Sequence, residues 1–257
     1  MALPLVDAHA HLGDAAFDAD RPAVLARAAA AGVARIVTVG ETLDDARRIL
    51  ALAGEHPQIA PAAGLYPTHL DLAAAREVER FIREHRERLF AIGEVGLDHW
   101  VVKDDADLQL QREIFLGQVR LARELDLPLN VHSRSAGRRT IAALVEAGAG
   151  RVLLHAFDGR AGAALEGVRA GFFFSVPPSI VRSPQKQKLV RALPLERLLL
   201  ETDSPVLGPI PGERNEPANV LVALRAIAEI KRLAEDEVAR ATTANARRLF
   251  GERLLDA

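Results

Sequence analysis

Eight times along the 257 residues, a short apolar, β-rich run gives way to a stretch whose apolar side chains recur at helical spacing. The runs are Leu3–His9, Arg35–Val39, Ile59–Leu65, Leu89–Val95, Leu127–His132, Val152–Phe157, Gly171–Val176 and Arg197–Glu201. Each is nearly continuous in aliphatic or aromatic residues with one polar residue near its end, as a strand covered on both faces requires. The helical intervals are Asp20–Ala31, with Asp20 as N-cap, Leu43–Gly54, Ala73–Arg88, Asp105–Leu125, Arg138–Ala147, Ala161–Ala170, Gln185–Ala192 and Pro217–Leu233; Glu235–Leu249 closes the chain. Eight β-then-α units at this length predict an α/β fold of the (β/α)8 TIM-barrel type, one domain over residues 1–257. An open doubly wound sheet is the alternative. It is weakened because no glycine fingerprint or Walker loop follows a strand.

Composition removes several functions. Cysteine is absent, so disulfides, thiolate zinc sites and a cysteine nucleophile are excluded. A formal net charge of −2 gives no global basic field, so any polyanion must be held locally. The start of the chain lacks a basic segment followed by an apolar one, and no apolar run approaches the length of a membrane span. The expectation is a cytoplasmic protein that needs no membrane and shows no obligate protein partner.

In such a barrel the chemistry belongs at the C-terminal ends of the strands. His9 and His11 alternate with apolar residues and so share one face of the first strand. The fourth strand ends in Glu94 and Asp98, the fifth in His132, the sixth in His155, and the eighth in Glu201 and Asp203. Any one of these could be a satisfied core residue. Four imidazoles and several carboxylates converging on one rim point instead to metal, because buried charge is costly unless paired or ligated. Six candidate ligands exceed the needs of one tetrahedral ion, so two ions bridged by a carboxylate are expected, with Glu94 as the bridge. A carbamylated lysine is excluded as the bridge, since Lys103, Lys186, Lys188 and Lys231 all fall outside the strands.

The stretches Asp7–Leu12, Ala91–Asp98, Pro128–Arg134, His155–Gly159, Leu200–Pro205, Arg214–Pro217 and Thr242–Phe250 resemble, in order and spacing, the motifs of the TatD family of metal-dependent deoxyribonucleases, within the amidohydrolase-like barrels. The resemblance implies one ion held by His9, His11, Glu94 and Asp203, and a second held by Glu94, His132 and His155. It makes Asp203 the group that orients or deprotonates the attacking water, with Glu94 as its catalytic companion. Glu201 then pairs with Arg134 or a histidine, or forms a buried ion pair. Two positions depart from the family pattern: Tyr66 stands where a histidine is usual, with His69 as a substitute, and Ser135 stands where an aspartate is common. A phenol can donate a hydrogen bond to phosphate but cannot shuttle a proton near neutrality.

The reaction expected is phosphodiester hydrolysis, as a 3′–5′ exonuclease on single-stranded or frayed DNA, serving DNA repair or degradation. It would use two divalent ions, with Zn, Mn, Mg, Ni or Fe all open and Mg the least suited to nitrogen donors. Phosphate contacts are expected from Tyr66, His69, Arg134, Arg138, Arg182, Lys186 and Arg214, although 182–191 also reads as a solvated basic helix. Trp100 is placed to stack on a base and His99 beside it is a further site candidate; His56 and His85 read as surface residues. A metal-dependent amidohydrolase or lactonase acting on a small molecule is the alternative, since the same ligands would serve it.

Overall fold

The structure, a computed structural model, describes residues 3–256; Met1, Ala2 and Ala257, the ends of the domain expected over 1–257, lie outside the described residues. Eight parallel strands follow one another in chain order: β1 (Leu5–Ala10), β2 (Val33–Val39), β3 (Ile59–Ala63), β4 (Ala91–Gly96), β5 (Leu129–His132), β6 (Val152–Leu154), β7 (Phe173–Val176) and β8 (Leu198–Leu200). The first and last are joined just beyond β8. Asp203 donates its N–H to the His9 carbonyl at 2.9 Å, and His11 donates to the Ser204 carbonyl at 2.8 Å. Those two bonds close the barrel at its mouth and set Asp203 beside His9.

Around the strands lie α1 (Arg21–Ala30), α2 (Leu43–Glu55), α3 (Leu72–His85), α4 (Asp105–Leu125), α5 (Gly137–Glu146), α6 (Ala161–Arg169), α7 (Pro184–Ala192), α8 (Val220–Lys231) and α9 (Glu235–Phe250). Side-chain caps fix several starts: Thr42 accepts from the Asp45 N–H, Asp71 from Ala73, and Asp104 from Ala106. Asp20 does not cap α1 as expected. Arg27 and Arg214 occupy its carboxylate, and Pro22 in the first turn of α1 needs no hydrogen-bond acceptor. The segment expected to begin α8 at Pro217 is a 3-10 turn over Pro217–Asn219.

Two apolar layers hold the barrel. The larger packs the outward strand faces against helices, with Leu12, Val24, Ile36, Ile49, Phe115 and Leu200 among its members. The smaller fills the barrel itself with Val6, Ala8, Val37, Leu153, Phe173 and Leu199, and Leu249, Phe250 and Leu254 stopper it from the end of the chain. Arg35 is buried at that closed end, donating to the carbonyls of Leu254 and Pro57.

Layer membership reveals how the polar residues are turned inward. On β5 and β6 the alternation is regular: Leu129, Val131, Val152 and Leu154 face the helices. Asn130 and His132, and Leu153 and His155, therefore face in. On β1 it is not regular. Val6 and Ala8 belong to the inner layer, Ala10 and Leu12 to the outer, and the pairing with β2 shifts between Asp7 and Ala10. A similar shift in pairing with β5 falls between Ile92 and Val95, around Glu94. Bulges of this kind re-aim a side chain. Here they deliver His9 and Glu94 inward while Asp7 is left beside β8, accepting from the Thr202 N–H at 2.9 Å.

Candidate active site

His9, His11, Glu94 and Asp203 converge at the floor of the mouth. His9 Nε2 lies 3.2 Å from His11 Nε2, and both nitrogens are 3.3 Å from Asp203 Oδ1. Glu94 Oε2 is 3.6 Å from the first and 3.4 Å from the second. Ligands about 2.1 Å from a central cation stand roughly 3.4 Å apart at the corners of a tetrahedron. The four atoms therefore have the spacing of a cation cage. The other oxygen of Glu94 faces a second group: Oε1 is 2.8 Å from both His132 Nδ1 and His155 Nε2, which are 3.3 Å from each other. Glu94 thus presents one oxygen to each set.

Hydrogen bonds on the far side of the rings decide which nitrogens face the cage. Asn130 donates through Nδ2 to the Ala8 carbonyl at 2.9 Å, which leaves its Oδ1 to accept from His9 Nδ1 at 2.9 Å. With one proton held on Nδ1, Nε2 is the nitrogen that His9 turns toward His11 and the carboxylates, where a cation would replace its proton. Asp98 Oδ2 likewise accepts from His132 Nε2 at 3.0 Å, turning Nδ1 toward Glu94. His155 Nδ1 is buried without a hydrogen-bond partner, with Glu201 Oε2 3.9 Å away. Gly96 makes this packing possible: its φ is +145° and a side chain there would overlap the His132 carbonyl.

The electrostatics agree with a place for positive charge. Burial lowers His9, but the Asp203 hydrogen bond and the charges of Glu94 and Asp203 outweigh it and raise the imidazole to about 10. His132 is likewise lowered by burial but carried up to about 9 by Asp98 and Glu94. His155 goes the other way, to about 4, through burial and the charge of His9, whose ring stacks on it at 3.7 Å. Burial raises Asp203 and Glu94, yet their imidazole neighbours hold both well below the usual carboxylate range. Two ionised carboxylates ringed by imidazoles that hold positive charge fit a divalent cation, in donor type and in spacing, once it displaces those protons.

Above the cage is a cavity of about 480 Å³, lined by His11, Glu94, His132, His155 and Asp203 together with Glu41, Tyr66, Ser133, Arg134, Asp158 and Lys186. Burial and the nearby carboxylates push the Tyr66 phenol upward, so it remains a proton donor. Ser133 contributes a buried hydroxyl without a partner. Arg134 is exposed at the lip with its guanidinium 5.2 Å from the Trp100 ring centre, and Trp100 is 60% exposed. Lys186 donates to the Ala156 carbonyl at 2.9 Å, and burial lowers its amine.

Several expected contacts lie elsewhere. Arg214 is held by a two-pronged bond to Asp20 at 2.7 Å and covers Phe17 at 5.0 Å. Arg182 reaches the Gly208 carbonyl, and both arginines line a separate groove along the loop after β8. His69 lines another groove, between α2 and α3. Arg138 is exposed on α5 and His99 meets Arg139 at 3.3 Å. Glu201 does not pair with Arg134. It accepts from the Ala156 N–H at 2.8 Å and the Ser175 hydroxyl at 2.6 Å, and burial raises it to about 7. His56 and His85 are half-buried on the outside, His85 against Phe81. Sequence reasoning passed over Glu41, Ser133 and Asn130. Asn130 carried a signal, being two residues before His132 and so on the same strand face.

A parallel eight-stranded barrel with histidines and carboxylates gathered at its C-terminal mouth defines the class of metal-dependent hydrolases. The family model described as TatD related DNase matches residues 6–251, and the chain belongs to the TatD family. It is 46% identical to human deoxyribonuclease TATDN3, over 96% of this chain and 94% of that one. It is 38% identical to the metal-dependent hydrolase YabD of Bacillus subtilis, over 96% of this chain and 98% of that one. The crystal structure of YjjV, a TatD homologue from Escherichia coli, superposes with a TM-score of 0.90 at 29% identity, covering 97% of this chain and 99% of the other. Among the described residues no helix is long and apolar enough to cross a membrane.

Proposed function

We propose that this hydrolase cleaves phosphodiester bonds of DNA, working as a 3′–5′ exonuclease on single-stranded or frayed ends, with two divalent cations per chain that Glu94 would hold in common. His9, His11 and Asp203 would hold the first with it, and His132 and His155 the second. The observation that carries this reading is the division of Glu94: each of its oxygens serves a separate set of donors, at the floor of a cavity lined by Arg134, Lys186, Ser133 and Tyr66. Cations bound there would lower the pKa of a water molecule and offset charge on the phosphate.

The chain's own groups divide the remaining work. Asp203 is kept ionised and borders the cavity, so it can accept a hydrogen bond from the attacking water and orient it. Tyr66 and Ser133 donate hydrogen bonds to phosphate oxygens. Arg134 and Lys186 supply positive charge to the phosphates of the strand. Trp100 offers its exposed face to a base outside the cavity. A recessed floor admits a strand end more readily than an intact duplex, and the human relative's name as a deoxyribonuclease supports DNA as the polymer. Imidazole-plus-carboxylate donors suit Zn²⁺, Mn²⁺, Ni²⁺ or Fe²⁺ better than Mg²⁺.

The test is metal-free protein, reconstituted one ion at a time and assayed on 3′-labelled single-stranded DNA, a simple phosphodiester and simple lactones. Metal-restored shortening of the DNA from its 3′ end is expected. Hydrolysis of lactones alone would contradict the reading.

A further inference from the structure

The cavity has an electrical polarity that the reaction itself does not require. Lys186 is anchored to the Ala156 carbonyl just after β6, and Arg134 follows β5. On the opposite side of an eight-stranded barrel from β6 is β2, and the residue that β2 sends into the cavity is Glu41. Its backbone is fixed: the Glu41 carbonyl accepts from Tyr66 at 2.9 Å, and the neighbouring Gly40 carbonyl accepts from Glu94 at 3.0 Å. Its side chain is 41% exposed, and among the described residues its ion-pair contact is His11 Nδ1 at 3.6 Å, with no arginine or lysine. Asp14 and Asp45 border the small recess of about 80 Å³ next to it. The arc from β5 to β7 thus carries Arg134 and Lys186 alongside Asp158, whose carboxylate accepts from the Ser135 N–H, and the arc at β1 and β2 carries carboxylates with no lysine or arginine among the lining residues.

A strand with one phosphate over the cage has further phosphates on one side, and these fit the cationic arc. On the other side stands a carboxylate with no cation to receive another phosphate. We propose that Glu41 selects the chain end: its carboxylate accepts a hydrogen bond from the free 3′-hydroxyl of the terminal nucleotide and repels a 3′-terminal phosphate. This rests on the exonuclease reading above. The scale is right for it, since a carboxylate oxygen of Glu41 lies within 4.8 Å of a ring nitrogen of His11 and an oxygen of Glu94, beside the cage over which the proposed reaction would place the scissile phosphate. Like charges at such separations cost enough to slow a reaction tenfold or more.

The experiment compares two single-stranded oligonucleotides, identical except for a 3′-hydroxyl or a 3′-phosphate, with the metal-loaded enzyme and with Glu41→Gln. The wild type should cut the hydroxyl-ended strand at least about tenfold faster. Glu41→Gln, which keeps an acceptor and loses the charge, should bring the two rates within about threefold of each other. Metal content by mass spectrometry should be the same in both proteins. An unchanged ratio in the variant, or equal cutting of both strands by the wild type, overturns the role of Glu41 and leaves the nuclease reading standing. Loss of bound metal in the variant overturns it too, by making Glu41 a ligand. Failure of the wild type to cut either strand defeats the nuclease reading itself.

Discussion

At the floor of the cavity His9, Glu94, His132, His155 and Asp203 are buried; all but His155, whose Nδ1 has no partner, are held on more than one side. At the lip Arg134 and Trp100 are exposed, while the neighbouring Arg182 and Arg214 are tied into the protein. The two regions share one end of one barrel but obey different constraints. A floor residue sits on a strand or immediately after it, so its direction follows from the alternation of the strand and from two bulges. A lip residue sits on a loop, where a cation is satisfied by whichever carboxylate or carbonyl lies nearest. Residue type alone therefore says much about the floor and little about the lip.

The comparison is broken most severely at Glu94. Glu94→Ala removes the oxygen shared by each donor set, and activity should fall on the order of a thousandfold or more, with the metal content of the purified protein falling in parallel. Retention of full activity would mean that the floor is not the reacting centre. A sharper contrast pits two lip cations against each other. Lys186→Ala should raise KM for single-stranded DNA about tenfold by deleting a charge-assisted contact. Arg214→Ala should leave KM within about twofold, because that guanidinium is already committed to Asp20 and Phe17. Equal effects of the two would show that the groove beside Arg214 carries DNA after all.

The smallest effect is a pH dependence. Burial lowers the Lys186 amine, with Glu201, Asp203 and Asp158 opposing. The charged form is the lower-pH form, so binding to phosphate is lost as pH rises, sooner than for a free lysine. KM for DNA should therefore climb on the alkaline side. Lys186→Arg, which keeps its charge throughout, should flatten the climb. A profile unchanged by that substitution would remove Lys186 from the binding surface.

The periodicity of apolar runs was enough to read the barrel, and α4 falls where it was expected, because Asp104 caps its start and Asp126 ends it in a left-handed turn. The convergence of His9, His11, Glu94, His132, His155 and Asp203 at one mouth was legible for a related reason: a polar residue closing an apolar strand is expensive unless it has a purpose. The bulges at β1 and β4 were not legible. Simple alternation puts Asp7 on the face of His9, and only the pairing register shows that it is turned toward β8. The partners of loop cations were equally hidden, since Asp20 and Arg214 meet across 194 positions of sequence. Glu41 went unnoticed because one carboxylate after a strand carries no spacing signal of its own.

Crystals of the protein grown with Mn²⁺ and measured at the manganese absorption edge test the central claim most directly. Two anomalous peaks about 3.5–4 Å apart should flank the Glu94 carboxylate, one beside His9, His11 and Asp203 and the other beside His132 and His155. A single peak, or peaks away from Glu94, would contradict the account.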